Sequence, residues 1–200
     1  MKGRPGSRRD VEAPAGRRPA TVRAVVLVGF MGAGKTSVGR ALGRRLGWSF
    51  EDLDDRVEAR EGRRIAEIFR EAGEAAFRRA EHQALREALA EAETGPARVL
   101  AVGGGAFVQP ENASLLDRAE TPTIFLDAPV AELWRRCVAD AVDRPLRRKE
   151  NEFRRLYAER RPRYLNAGLR VETGDREIER IVDEIVNSLG LSHAVPDEEK

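Results

Sequence analysis

Short, wholly apolar runs recur along the chain, separated by longer stretches with apolar residues at every third or fourth position. The first run, Ala24-Val25-Val26-Leu27-Val28, is rich in β-branched residues and ends at Gly29. Such a run reads as a strand buried on both faces. From Lys35 to about Leu46 the spacing turns helical, with Val38, Leu42 and Leu46 on one face and Gly47 as the stop. A second strand is expected from Ser49 to Leu53. Helices follow over Asp55 to Arg60, Arg64 to Arg70 and Glu74 to about Glu93, where Thr94-Gly95-Pro96 breaks the pattern. Val99 to Val102, Pro122 to Leu126 and Leu169 to Glu172 predict further strands. Glu111 to Asp117, Pro129 to Val138 and a charged stretch running towards Arg160 predict helices. Asp175 to Leu189 closes the pattern as an amphipathic helix carrying Ile178, Ile181, Ile185 and Leu189.

Strands alternating with helices imply βαβ units. The expected fold is α/β, a doubly wound, mainly parallel five-stranded sheet flanked by helices, with ligands at the carboxyl ends of the strands. Residues 139–150 are charged and weakly patterned, as a mobile lid would be. One domain is expected over 23–190, between a basic leader (1–22) and a loose tail (191–200). The leader concentrates Lys2, Arg4, Arg8, Arg9, Arg17 and Arg18 but is broken by Pro5, Pro14 and Pro19. A disordered extension suits it better than a transit peptide, since it has little serine and no amphipathic phase.

Composition narrows the picture. Basic residues number 36 and acidic ones 34, so nothing argues for nucleic acid as a partner. A single cysteine, Cys137, excludes an internal disulfide framework and suits a reducing compartment, where it reads as a packed structural residue. Apolar runs stay far below the roughly 20 residues of a membrane span. A cytoplasmic monomer is the expectation.

Gly29-Phe30-Met31-Gly32-Ala33-Gly34-Lys35-Thr36 matches G-x-x-x-x-G-K-[ST], with a strand before it and a helix after. Glycines let the backbone turn and approach phosphates closely, so that its amides form an anion nest at the helix start. Lys35 can reach β- and γ-phosphates, and the Thr36 hydroxyl can ligate magnesium.

Other polar groups follow predicted strands. Asp52 and Asp54 lie two apart, so on an extended strand both carboxylates would face the phosphate site. One could orient a magnesium-bound water while the other accepts a proton from a substrate hydroxyl; a solvated acidic helix start is the plainer alternative. Gly103-Gly104-Gly105 suggests close approach of backbone to ligand, or simply a flexible loop. Arg78, Arg79, Arg144, Arg160, Arg161 and Arg163 include forks able to grip a carboxylate or phosphate, and spacing alone does not choose among them.

Together these residues resemble the shikimate kinase family. The resemblance rests on Gly29 to Thr36, Asp52-Leu53-Asp54, Phe77-Arg78-Arg79-Ala80-Glu81, Gly103 to Gly105, Arg144-Pro145-Leu146 and Arg160-Arg161-Pro162-Arg163-Tyr164, in that order, and spans about 24–188. It departs from the pattern between Cys137 and Arg144 and at Arg147-Arg148. The resemblance implies a P-loop fold like that of nucleoside monophosphate kinases, and ATP-dependent phosphorylation of shikimate with Mg2+. It implies ATP contacts from Gly32, Ala33, Gly34, Lys35, Thr36, Ser37 and Arg144, and Arg176, in the loop after the last strand, is the candidate for the adenine side. Asp54 would accept the proton of the attacking hydroxyl, and Asp52 would hold magnesium through water. Arg78 and Arg160 would grip the carboxylate, Gly103, Gly104 and Gly105 would close round the ring, and Arg144 would swing in with the lid. A gluconate or nucleoside monophosphate kinase of the same fold is the nearest rival. A non-catalytic nucleotide-binding module is the rival from another class.

Overall fold

Every residue of Ala24–Val28 is buried, because this strand, β1, lies in the middle of a five-stranded sheet. The computed structural model describes residues 22–139 and 150–191. After β1 come α1 (Lys35–Leu46), β2 (Ser49–Asp52), α2 (Leu53–Glu61), α3 (Ile65–Thr94), β3 (Arg98–Ala101) and α4 (Pro110–Arg118). Then follow β4 (Thr123–Asp127), α5 (Val130–Ala139), α6 (Glu150–Tyr164), β5 (Leu169–Glu172) and α7 (Ile178–Leu189).

The strand order is β2-β3-β1-β4-β5, and every pairing is parallel. The chain therefore leaves β1 towards one edge and later returns to build the other. That reversal beside β1 is the topological switch point, where the loops on the two sides part and leave a crevice. Helices α1 and α7 pack together, α2 packs on α3, and α5 on α6. The core is the apolar set of β1, β3 and β4 joined by Val38, Leu42 and Leu46 of α1, Leu85 and Ala88 of α3, and Ile181 and Ile185 of α7. The edge strands differ: β2 exposes or half-exposes each residue, and β5 buries only Val171.

The structure moves several expected boundaries. Strand β2 stops at Asp52, which caps α2 by accepting from the Asp54 amide at 3.2 Å. Asp54 is thus in the first helical turn, and the argument from strand alternation does not hold. The two helices expected either side of Gly73 are both present and abut there without a loop: the glycine, at φ 77° and ψ 173°, lies outside helical space and kinks the span labelled α3. Helix α6 continues past Arg160 and through Pro162 to Tyr164. Proline this close to the end forfeits one backbone bond, and burial of Tyr164 compensates. At the other boundary, α7 starts three residues late because Asp175 takes φ 46°, outside helical space. Leu191, expected in the loose tail, packs against the core. The leader, most of the lid with Arg144, and residues 192–200 lie outside the described residues.

Candidate active site

The loop after β1 turns through left-handed glycines, Gly32 at φ 81° and Gly34 at φ 87°. A Cβ on Gly32 would stand 2.6 Å from the Leu133 carbonyl oxygen, so both torsion and space exclude a larger residue. Gly34 caps α1 without a side-chain hydrogen bond, and no acid occupies the first turn. The amides and positive pole of α1 are therefore left for an anion. Lys35 Nζ folds over the loop, donating to the carbonyls of Gly29 (3.0 Å) and Phe30 (3.2 Å). Exposed Thr36 donates through Oγ1 to Asp52 Oδ2 at 3.3 Å, joining the start of α1 to the end of β2.

Beside this loop, the three glycines after β3 form the floor of a second subsite. Their φ values are not positive; space restricts Gly103 and Gly105, whereas a Cβ on Gly104 would make only ordinary van der Waals contacts. A Cβ on Gly103 would lie 2.8 Å from Asp54 Oδ1 and 3.2 Å from Glu81 Oε1. On Gly104 it would meet Tyr164 Oη at 3.5 Å, and Arg160 Nη1 and the Gly29 carbonyl oxygen each at 3.6 Å. On Gly105 it would sit 2.6 Å from Arg78 Nη2. Residues from α2, α3 and α6 thus converge on one bare stretch of backbone, and Gly104 touches the first residue of the phosphate loop. Arg78 is half-buried, held by Glu81 at 2.7 Å and Glu74 at 3.1 Å. Tyr164 is wholly buried, and its hydroxyl donates to the Gly104 carbonyl. Burial, the largest influence, raises that hydroxyl's pKa to about 12, so it remains a donor.

Glu81 is 1% exposed. Burial pushes its carboxyl up to about 6, Arg78 pulls it down, and neighbouring Asp54 pushes it up again. Its signal in the sequence was an acid in helical phase with apolar Phe77, Ala84 and Ala88. Next to it, His82 Nδ1 meets Asn112 Oδ1 at 2.7 Å, while Asn112 Nδ2 donates to the Ala106 carbonyl at 3.0 Å. Because the amide nitrogen is committed, His82 Nδ1 is the donor. This pair pins the turn that follows the glycines to α3 and α4.

On the opposite flank of the phosphate loop, Arg136 donates to the carbonyls of Thr173 (2.9 Å) and Gly32 (3.4 Å). Thr173 Oγ1 in turn meets the Ala33 carbonyl at 3.3 Å. Neither residue was singled out by the sequence, because an arginine in an arginine-rich chain and one threonine after a strand carry no distinctive spacing. Arg176 lies in the same loop, bonded to the Glu172 carbonyl at 2.9 Å and paired with Glu184 at 2.7 Å. Cys137 is buried against Gly32, a packing role consistent with its expected one. Ser37 is exposed on the first turn of α1.

Among the described residues no three His, Cys, Asp or Glu side chains gather to hold a metal. The Thr36 hydroxyl and Asp52 carboxylate are nevertheless a hard-oxygen pair of the kind that suits Mg2+ carried in on phosphates, which needs only one or two protein oxygens.

A family model described as shikimate kinase matches residues 31–190. The shikimate kinase of Caulobacter vibrioides is 42% identical over 179 residues, covering 88% of this chain and 86% of that protein. That of Thermus thermophilus is 42% identical over 176 residues, covering 86% and 91%. Among solved structures, shikimate kinase from Acinetobacter baumannii in complex with shikimate matches with a TM-score of 0.76 at 35% identity, covering 84% of this chain and 93% of that one.

Proposed function

This chain belongs to the shikimate kinase family, and from that premise we propose that it transfers the γ-phosphoryl group of ATP to the 3-hydroxyl of shikimate. The products are shikimate 3-phosphate and ADP, a step of aromatic amino-acid biosynthesis. The observation that carries the reading is the convergence of Asp54, Arg78, Arg160 and Tyr164 on Gly103–Gly105, with Gly104 against Gly29 of the phosphate loop. An acceptor on those glycines is thereby a neighbour of the transferred group.

In this reading, the amides of Gly32 to Ser37 and Lys35 cradle the ATP phosphates. The Thr36 hydroxyl and, through water, the Asp52 carboxylate would hold Mg2+, whose charge would offset that of the phosphates. Arg78 and Arg160 fix the acceptor carboxylate, which sets the ring over Gly103, Gly104 and Gly105. Asp54 accepts the proton of the 3-hydroxyl as its oxygen attacks the γ-phosphorus and the bond to the ADP oxygen breaks. Arg144 from the lid and Arg176 contact the nucleotide. Little covalent chemistry falls to the protein, so positioning and charge suffice. The same reading makes the enzyme a cytoplasmic monomer.

ADP release with MgATP, measured with shikimate, gluconate or AMP in separate assays, tests the proposal. Stimulation by shikimate alone is expected; stimulation by another acceptor instead, or by none, overturns it.

A further inference from the structure

Glu81 has one oxygen in use and one in reserve. Its Oε2 accepts from Arg78 Nη1 at 2.7 Å, whereas Oε1 is fully buried with no hydrogen-bond partner. That idle oxygen faces Gly103 on the side where Asp54 Oδ1 also stands. A buried carboxylate oxygen without a donor is costly while ionised, and the cost falls when it carries a proton.

The charged groups facing Glu81 are Arg78 and, behind it, Glu74 on α3, Asp54 on α2 and Arg160 on α6, with the neutral hydroxyl of Tyr164 beyond. Glu74 is 65% exposed and screened by solvent. In the sheltered part of the site, Asp54 and Glu81 therefore balance Arg78 and Arg160. An acceptor carboxylate bound to the two arginines adds a negative charge to these four groups. It also shares the charge of Arg78 with Glu81, which holds Nη1, while Nε and Nη2 face exposed Glu74.

We propose that Glu81 takes up a proton when the anionic acceptor binds, so that the charge of Arg78 is left to the substrate carboxylate. Glu81 is on this view a positioning residue and a proton store. The inference rests on the functional reading above, since it needs an anionic acceptor on Arg78 and Arg160. Its sign follows from linkage. The empty enzyme's carboxyl is already raised to about 6, and the bound anion raises it further. Between the free and bound values binding consumes a proton, so acceptor affinity falls as pH rises through that window, by up to about tenfold per pH unit.

The test is calorimetric titration of shikimate into the wild-type enzyme between about pH 5 and 8, in buffers of different ionisation enthalpy, which counts protons taken up. Net uptake is expected above about pH 6, absent in Glu81→Gln, whose shikimate KM should also lose its rise with pH. No uptake by the wild type, or equal uptake by Glu81→Gln, overturns the proposal while shikimate turnover leaves the functional reading intact. Should Glu81→Gln not fold, Glu81→Asp serves: an unchanged uptake profile sinks the idea, and a shifted one supports it. Wild-type enzyme that neither binds nor phosphorylates shikimate sinks the functional reading and this inference with it.

Discussion

The Tyr164 hydroxyl donates to the Gly104 carbonyl, fastening the end of α6 to a loop sixty residues earlier in the chain. Tyr164→Phe removes that donor and keeps the ring, which packs on Phe125 with centroids 5.3 Å apart. A neutral hydrogen bond contributes about 0.5–1.5 kcal/mol net, so the KM for shikimate should rise roughly 2- to 10-fold. The KM for ATP should stay put. Steady-state kinetics in both substrates checks this, and an unmoved shikimate KM would mean the bond does not shape the pocket.

Asp54→Asn keeps the size of the side chain beside Gly103 but can no longer take the hydroxyl proton. Turnover should drop about 10²- to 10⁴-fold with nucleotide affinity retained. Measuring MgADP binding alongside single-turnover transfer separates the two effects. Near-normal transfer would remove Asp54 from its role.

Arg160→Ala deletes one of the guanidinium groups at the glycine floor. Hydrogen bonds to charged groups are worth about 1.5–3 kcal/mol, so the shikimate KM should climb roughly 10- to 100-fold. ATP affinity should barely respond. An unaltered shikimate KM would place the carboxylate elsewhere.

Gly32→Ala combines a φ of 81° with a contact of 2.6 Å to the Leu133 carbonyl oxygen. We expect a loss of about 1–3 kcal/mol in stability and a nucleotide affinity too weak to titrate. Thermal melts with and without MgADP read both, and a normal ligand-induced shift would show that the loop tolerates the change.

Much of this architecture is legible from residue spacing, and the misses have physical causes. Strand β1 could be read to the residue because burial on both faces leaves no polar position to blur its ends. The start of α2 could not, since Asp52 is both the last strand residue and a helix cap, and one polar side chain serves both roles. Asp54 comes to the side of Gly103 from the first turn of a helix, although strand alternation suggests another geometry. Arg78 and Arg160 stood out only through the family resemblance; the fold then brings them to adjacent glycines. Arg136 was hidden by abundance, because its use lies in two backbone carbonyls far away in sequence.

The edges of the sheet carry one more consequence. Edge strand β2 carries half-buried Glu51 and Asp52, and edge strand β5 carries exposed Arg170 and Glu172, which pair with each other at 2.9 Å. A second molecule adding its own strand at either edge would have to strip water from these charged side chains before any ladder could form. Charged side chains at both edges thus disfavour growth of the sheet by strand addition, which should help keep the folded protein dispersed when concentrated.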